Sequence, residues 1–163
     1  DFAQGYAKLR AGDVDFARLY LTKVQKAAAT SKQNFRGHEA SKLLGVVGNI
    51  LDGEILRYLG DKKGALAKFE EAVKHDDAIE YDEPEPLPFD ARHWLGAMQL
   101  EMGMNAEAEA TYRKELEEHP HNGWSLLGLK QALEAQGKPT GDVAAELEKA
   151  WARSDTWVRA SRF

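Results

Sequence analysis

Apolar residues along this chain recur with helical spacing, and each such stretch stops at a glycine. Ala17 and Leu21, Ala65 and Phe69, and Ala108 and Tyr112 stand four apart; Val143, Leu147 and Ala150 continue the spacing once one residue is inserted. Four similar turns separate the stretches: LRAGD at 9–13, YLGD at 58–61, EMGMN at 101–105 and AQGKPT at 135–140. In each, a glycine follows an apolar helical run, where its freedom to take the left-handed conformation ends a helix. Asp13, Asp61, Asn105 or Thr140 follows, and such side chains accept from the free N–H groups that open the next helix. The pattern predicts four helical hairpins at about 1–31, 37–77, 90–119 and 122–153, closed by a cap at 154–163.

The intervals between glycines add a repeat. From Gly103 to Gly137 is 34 residues, Gly60 to Gly103 is nine more than that, and Gly12 to Gly60 fourteen more. Seven residues before the turn glycine stands Gly5, Gly53 or Gly96, with Lys130 breaking the pattern, and Pro120 closes the third hairpin. Small residues on a first helix let the second approach, and the large residue a turn beyond the alanine fills the groove between hairpins. Because glycine inside a helix costs up to ~1 kcal/mol relative to alanine, Gly45, Gly48 and Gly53 in one predicted helix imply close contacts. The period and the small–large pattern resemble the tetratricopeptide repeat. That resemblance implies an all-α solenoid of about four hairpins, a right-handed superhelix forming one domain over 1–163; a generic helical bundle is the bland alternative. With Gly5 at the eighth repeat position, the first helix is expected to begin before Asp1, in a longer parent chain.

A more specific resemblance covers about two-thirds of the chain, from Gly53 onward. YDEP at 81–84, ARHWLG at 91–96, NGWS at 122–125 with Leu129 and QAL at 131–133, AWARSD at 150–155 and ASRF at 160–163 are similar to the C-terminal region of long bacterial tetratricopeptide proteins. Longer members of that family resemble exported proteins, so an exported or periplasmic setting is favoured slightly over a cytoplasmic one. The PTG at 139–141 departs from the family pattern and loosens the register of the last helix.

Composition narrows the function classes. The chain has 163 residues, a formal charge of −5 and no cysteine, which excludes disulfides, thiolate metal sites and a cysteine nucleophile. Nucleic acid is not expected as a partner, because phosphate binding needs a concentrated basic face, and Lys23, Lys26, Lys32 and Arg36 are read as solvated helix surface. Apolar runs fall short of the ~20 residues of a membrane span, so no membrane insertion is expected. Oligomeric state is not legible.

The segment at 78–88 interrupts the helices with three prolines and several acids. Each X–Pro step biases its predecessor toward extended backbone. The segment reads as a joint, with Tyr81 and Leu87 pinned against helices, or as a lid or rim of a groove carrying Tyr81, Asp82, Glu83 and Glu85. A calcium-type site is disfavoured, since prolines splay the carboxylates apart and no glycine supplies the sharp turn.

In repeats resembling these, first helices line a concave face. The matching positions are Tyr6 and Arg10; Ile50, Glu54, Arg57 and Tyr58; Asp90, His93, Ala97 and Glu101; and Trp124, Leu127, Gln131 and Glu134. From these, Glu54, Arg57, Tyr58, Asp90, His93, Glu101, Trp124, Leu127 and Gln131 form the expected partner-binding groove, its mix of aromatic, cationic and acidic groups suiting a peptide. His38 and Glu39 are read as opening a helix, and His75 as ending one. His119 and His121 flank Pro120 and are the weak metal candidates for copper, nickel or zinc, but two ligands on an exposed turn make a poor closed site. No metal and no cofactor are expected. No catalytic motif is recognised, so no catalytic residues are assigned. The function expected is non-enzymatic binding or scaffolding of a protein or peptide. The alternative is a small-molecule- or metal-binding accessory domain of a larger exported protein, using the acidic proline loop and His93 or His119/His121. Trp157, Val158 and Phe163 are expected to cover the exposed apolar face of the last helix.

Overall fold

A computed structural model describes residues 1–156 and 158–163. The chain is all-helical apart from two very short strands, and it forms two compact units, Asp1–Ala91 and Arg92–Phe163. Trp157 lies outside the described residues.

The first unit holds α1 (Phe2–Arg10), α2 (Val14–Thr30), α3 (Ala40–Tyr58) and α4 (Lys62–Asp76). The second holds α5 (Arg92–Glu101), α6 (Asn105–Glu118), α7 (Gly123–Ala135) and α8 (Gly141–Ala150). Between the helices of each pair the turn glycine is left-handed: φ is 82° at Gly12, 87° at Gly60, 75° at Gly103 and 67° at Gly137. At all four, the glycine N–H reaches back three residues and the next N–H reaches back five, as Gly103 does to Leu100 and Met104 to Gln99. This paired closure satisfies carbonyls that a helix end leaves without partners. Asp13 and Asp61 cap the following helices as expected, accepting from Phe16 N and Gly64 N at 3.4 and 2.9 Å. Asn105 and Thr140 do not. Asn105 is already the first residue of α6, with Met104 at the cap, and the Thr140 side chain makes no cap hydrogen bond.

In the first unit, Ala17, Val46, Ile50, Leu51, Ala65 and Phe69 are buried. Phe69 from α4 lies against Gly53 of α3, where an added Cβ would stand 2.5 Å from the ring. Burying a phenylalanine contributes roughly 1.5–3 kcal/mol, and glycine makes the approach possible. His75 takes the same advantage of Gly45 one element-end away.

The residues that lengthen the interval between α2 and α4 form β1 (Asn34–Phe35) and β2 (His38–Glu39), an antiparallel hairpin pairing Asn34 with Glu39 and Phe35 with His38. Arg36 and Gly37, both at positive φ (53° and 94°), make its two-residue turn. The expectation that Arg36 is solvated helix surface and that His38 and Glu39 begin a helix is therefore corrected: α3 starts at Ala40. Helical periodicity carries no signal for a turn set by two consecutive left-handed residues.

In the second unit, Tyr112 of α6 enters between α5 and α7 and is fully buried. Glycines flank it on both sides: an added Cβ at Gly96 would lie 2.4 Å from the ring, and one at Gly128, 2.1 Å. The last hairpin thus supplies its small residue at Gly128, two positions before Lys130, where the repeat spacing leads one to seek it. Ala108, Leu129, Ala132 and Leu133 complete this core, with Leu100, Leu116 and Val143 packed against it. Gln136 and Lys138, in the turn after α7, reach Glu109 of α6 at 2.9 and 2.6 Å. The α8 helix has no fully buried residue.

Candidate functional site

Residues 159–163 lie against the first helices of the second unit. The Gln131 amide of α7 donates to the backbone carbonyl of Arg159 at 2.9 Å. Ser161 is 2% exposed; its hydroxyl donates to the His93 carbonyl at 2.7 Å and meets the Tyr112 hydroxyl at 2.7 Å. The Phe163 ring stands edge-on to Trp94 with centroids 4.9 Å apart, and Arg162 approaches Glu101 at 3.8 Å. Of the three residues expected to form the cap, Trp157 lies outside the described residues and Val158 is half-buried, and Phe163 is the one corrected here. Phe163 packs on Trp94 of α5 and not on the outer face of α8, because the Tyr112 hydroxyl and the His93 carbonyl offer Ser161 polar partners that an apolar outer face lacks.

Tyr112 links the core to the 159–163 segment. Its ring fills the gap between Gly96 and Gly128, and its hydroxyl emerges at Ser161. Burial holds that phenol well above its usual range, while the Ser161 hydrogen bond and the Arg162 charge pull the other way.

Beneath His93 lies a buried polar network. Glu115 of α6 is fully buried. Its Oε1 accepts from Asn122 Nδ2 and His119 Nδ1, both at 2.8 Å, and His93 Nε2 stands 3.7 Å away. Asn122 also reaches His93 Nε2 at 3.2 Å and, with its oxygen, accepts from Trp124 N at 3.0 Å, capping α7. Burial pushes the Glu115 carboxyl up, but the neighbouring His93, Ser125 and His119 outweigh it, leaving the group below its usual range. The network fixes the first turn of α5, which presents the carbonyl that Ser161 uses.

The first unit offers a second first-helix face. Leu9 and Arg10 of α1 with Glu54, Arg57 and Tyr58 of α3 line a hollow of about 140 Å³. Small-molecule sites usually span about 300–1,000 Å³, so this one suits a single side chain. Glu54 is 1% exposed and accepts from Arg57 Nε and Nη2 at 3.3 and 3.1 Å. Tyr58 is 53% exposed at the rim.

The acidic proline segment is tied to the hairpin of its own unit. Arg36 donates to the Pro84 carbonyl at 2.7 Å, the Asp82 carboxylate at 2.8 Å and the Glu83 carbonyl at 2.7 Å. His38 Nε2 faces the other Asp82 oxygen at 3.3 Å. Tyr81 is 83% exposed, not pinned against a helix, and its hydroxyl donates to Glu83. A guanidinium supplied from 46 residues away in sequence does the anchoring that the sequence reading gave to Tyr81. Glu85 is exposed and Leu87 half-buried.

The expected groove residues therefore divide. Glu54, Arg57 and Tyr58 line the hollow; His93, Glu101 and Gln131 meet the 159–163 segment or present the backbone that does. Asp90 and Leu127 are half-buried, and Trp124 pairs edge-on with Trp151 at 5.8 Å. His119 is committed to Glu115 and His121 is exposed. Ser161, Tyr112, Glu115 and Asn122 were not singled out as site residues. A hydroxyl at the core position that Leu21 and Phe69 hold elsewhere, and an acid one turn beyond it on the same helix face, are the signals that could have found two of them. Among the described residues no helix is long and apolar enough to cross a membrane. Comparison with protein-family models and with curated proteins finds no match.

Proposed function

We propose that the chain is a tetratricopeptide-type solenoid module whose first-helix faces bind extended segments of other proteins, in a scaffolding role without turnover. The observation that carries this reading is the 159–163 segment itself. It lies in non-helical conformation on α5 and α7, held by Gln131 through a backbone carbonyl, by His93 and Tyr112 through one serine, and by Trp94 through a ring. Side-chain amides that read a peptide backbone, beside pockets for individual side chains, are the parts such recognition uses. The hollow beside Arg57 and Tyr58 supplies a similar arrangement in the first unit.

A photo-crosslinking residue placed at Tyr58 or Leu127, on first helices, is expected to capture protein partners in the native host. The same residue at Leu19, 49% exposed on a second helix, is expected to capture far less. Equal capture from both kinds of position, or none from Tyr58 and Leu127, would overturn the assignment.

A further inference from the structure

Resting on that reading, we infer that the α5/α7 face recognises an extended peptide of the pattern small–Ser–basic–aromatic in a second protein, and that residues 159–163 occupy it as an intramolecular competitor. The niche around Ser161 dictates the serine. Its walls are the Tyr112 hydroxyl and the His93 carbonyl, each 2.7 Å from Ser161 Oγ. The Tyr112 ring is trapped between Gly96 and Gly128 and cannot turn its hydroxyl elsewhere. An apolar side chain there would bury the Tyr112 hydroxyl without the partner that Ser161 supplies, which is unfavourable, and a larger one has no room beside a residue only 2% exposed. Glu101 favours a basic neighbour, and the Trp94 ring that Phe163 meets edge-on favours an aromatic one.

Displacement can begin at the two ends of the segment, while Ala160 and Arg162 are half-buried and Ser161 is buried between them. Arg159 is exposed, Phe163 is 47% exposed, and the Arg162–Glu101 approach is long at 3.8 Å. Gln131 holds a carbonyl and not a side chain, so another peptide backbone fits equally well. An occupant linked to its own site lowers the apparent affinity for an outside ligand by the fraction of time the site is filled.

The test uses the full chain and a fluorescein-labelled Val-Arg-Ala-Ser-Arg-Phe peptide, read by anisotropy. Ser161→Glu cannot enter the niche, so that chain is expected to bind the peptide at least tenfold more tightly than the wild type. A peptide with valine in place of serine is expected to bind neither. Equal affinity for Ser161→Glu and wild type, with α-helical circular dichroism unchanged, would overturn the proposal. A readout independent of that variant is hydrogen exchange in the wild type: excess unlabelled peptide should speed exchange of the 159–163 amides, and unchanged protection would overturn the proposal too. If both fail while crosslinks from Tyr58 and Leu127 persist, the first-helix faces bind partners and the segment is a fixed part of the unit.

Discussion

Replacing Gly128 with alanine tests how tightly Tyr112 is held. The new Cβ would stand 2.1 Å from Tyr112 Cζ and 2.4 Å from Cε1, inside any tolerable contact. The ring has no retreat, since an added Cβ at Gly96 on the far side would already stand 2.4 Å away, and its hydroxyl is bound to Ser161. Overpacking a close-packed core costs about 1–3 kcal/mol, whereas alanine recovers up to ~1 kcal/mol of helix propensity. With backbone on both sides, the upper part of the range applies, and the net loss should be about 2 kcal/mol. All four tryptophans (Trp94, Trp124, Trp151 and Trp157) belong to the second unit, so urea unfolding followed by tryptophan fluorescence isolates the affected part. Gly141→Ala is the control; nothing lies within 4 Å of its added Cβ, and its stability should be unchanged or slightly raised. In a Tyr112→Leu background, Gly128→Ala should cost little or nothing, a coupling of about 2 kcal/mol between neighbours. An equal cost in both backgrounds would refute the wedge.

Two further outcomes follow from ion pairs. Lys138 above all, with Gln136 and Arg113, holds the Glu109 carboxyl at about 2 against the opposing effect of burial. A depressed carboxyl stabilises the fold above its unfolded value near 4.5 and loses that contribution as pH falls toward about 2. Lys138→Ala should therefore lower the melting temperature at pH 7 and flatten its decline between pH 4.5 and 2; parallel declines in both proteins would exclude this linkage. Arg36→Ala removes three hydrogen bonds to 82–84, and charge-assisted bonds contribute roughly 1.5–3 kcal/mol each when well formed. Glutamate-specific proteolysis after Glu80, which is exposed and followed by Tyr81, should accelerate severalfold while circular dichroism stays constant; unchanged cleavage would show that other contacts order the segment.

What the sequence made legible is local chemistry. A glycine that must be left-handed is written within five residues of its helix, and Gly12, Gly60, Gly103 and Gly137 all adopt that conformation. Helical spacing likewise pointed to Ala65, Phe69, Ala108 and Tyr112, all fully buried. Contacts distant in sequence were not legible. Nothing near Arg36 announces Pro84, and nothing in SRF announces the α5 carbonyl that Ser161 reaches, 68 residues earlier. Gly96 faces Tyr112 from its place in the fixed period, whereas the second close approach, at Gly128, falls off that period, where only the ring's position explains it. The placement of Glu54 and Arg57 beside the hollow and of Gln131 beside the 159–163 segment accords with their repeat positions, because a helix's 3.6-residue turn decides which face they share. Glu115 and Asn122 were not singled out, because buried polar pairing depends on partners from separate helices.

The hairpin at 34–39 and the proline segment at 78–88 are the two long interruptions between successive helices, and Arg36 joins them. Each is then the other's support in heredity as well as in space. A lineage that shed one insertion would leave the survivor without its anchor, so gains and losses of the two should coincide among descendants. Anyone shortening the chain should remove both together.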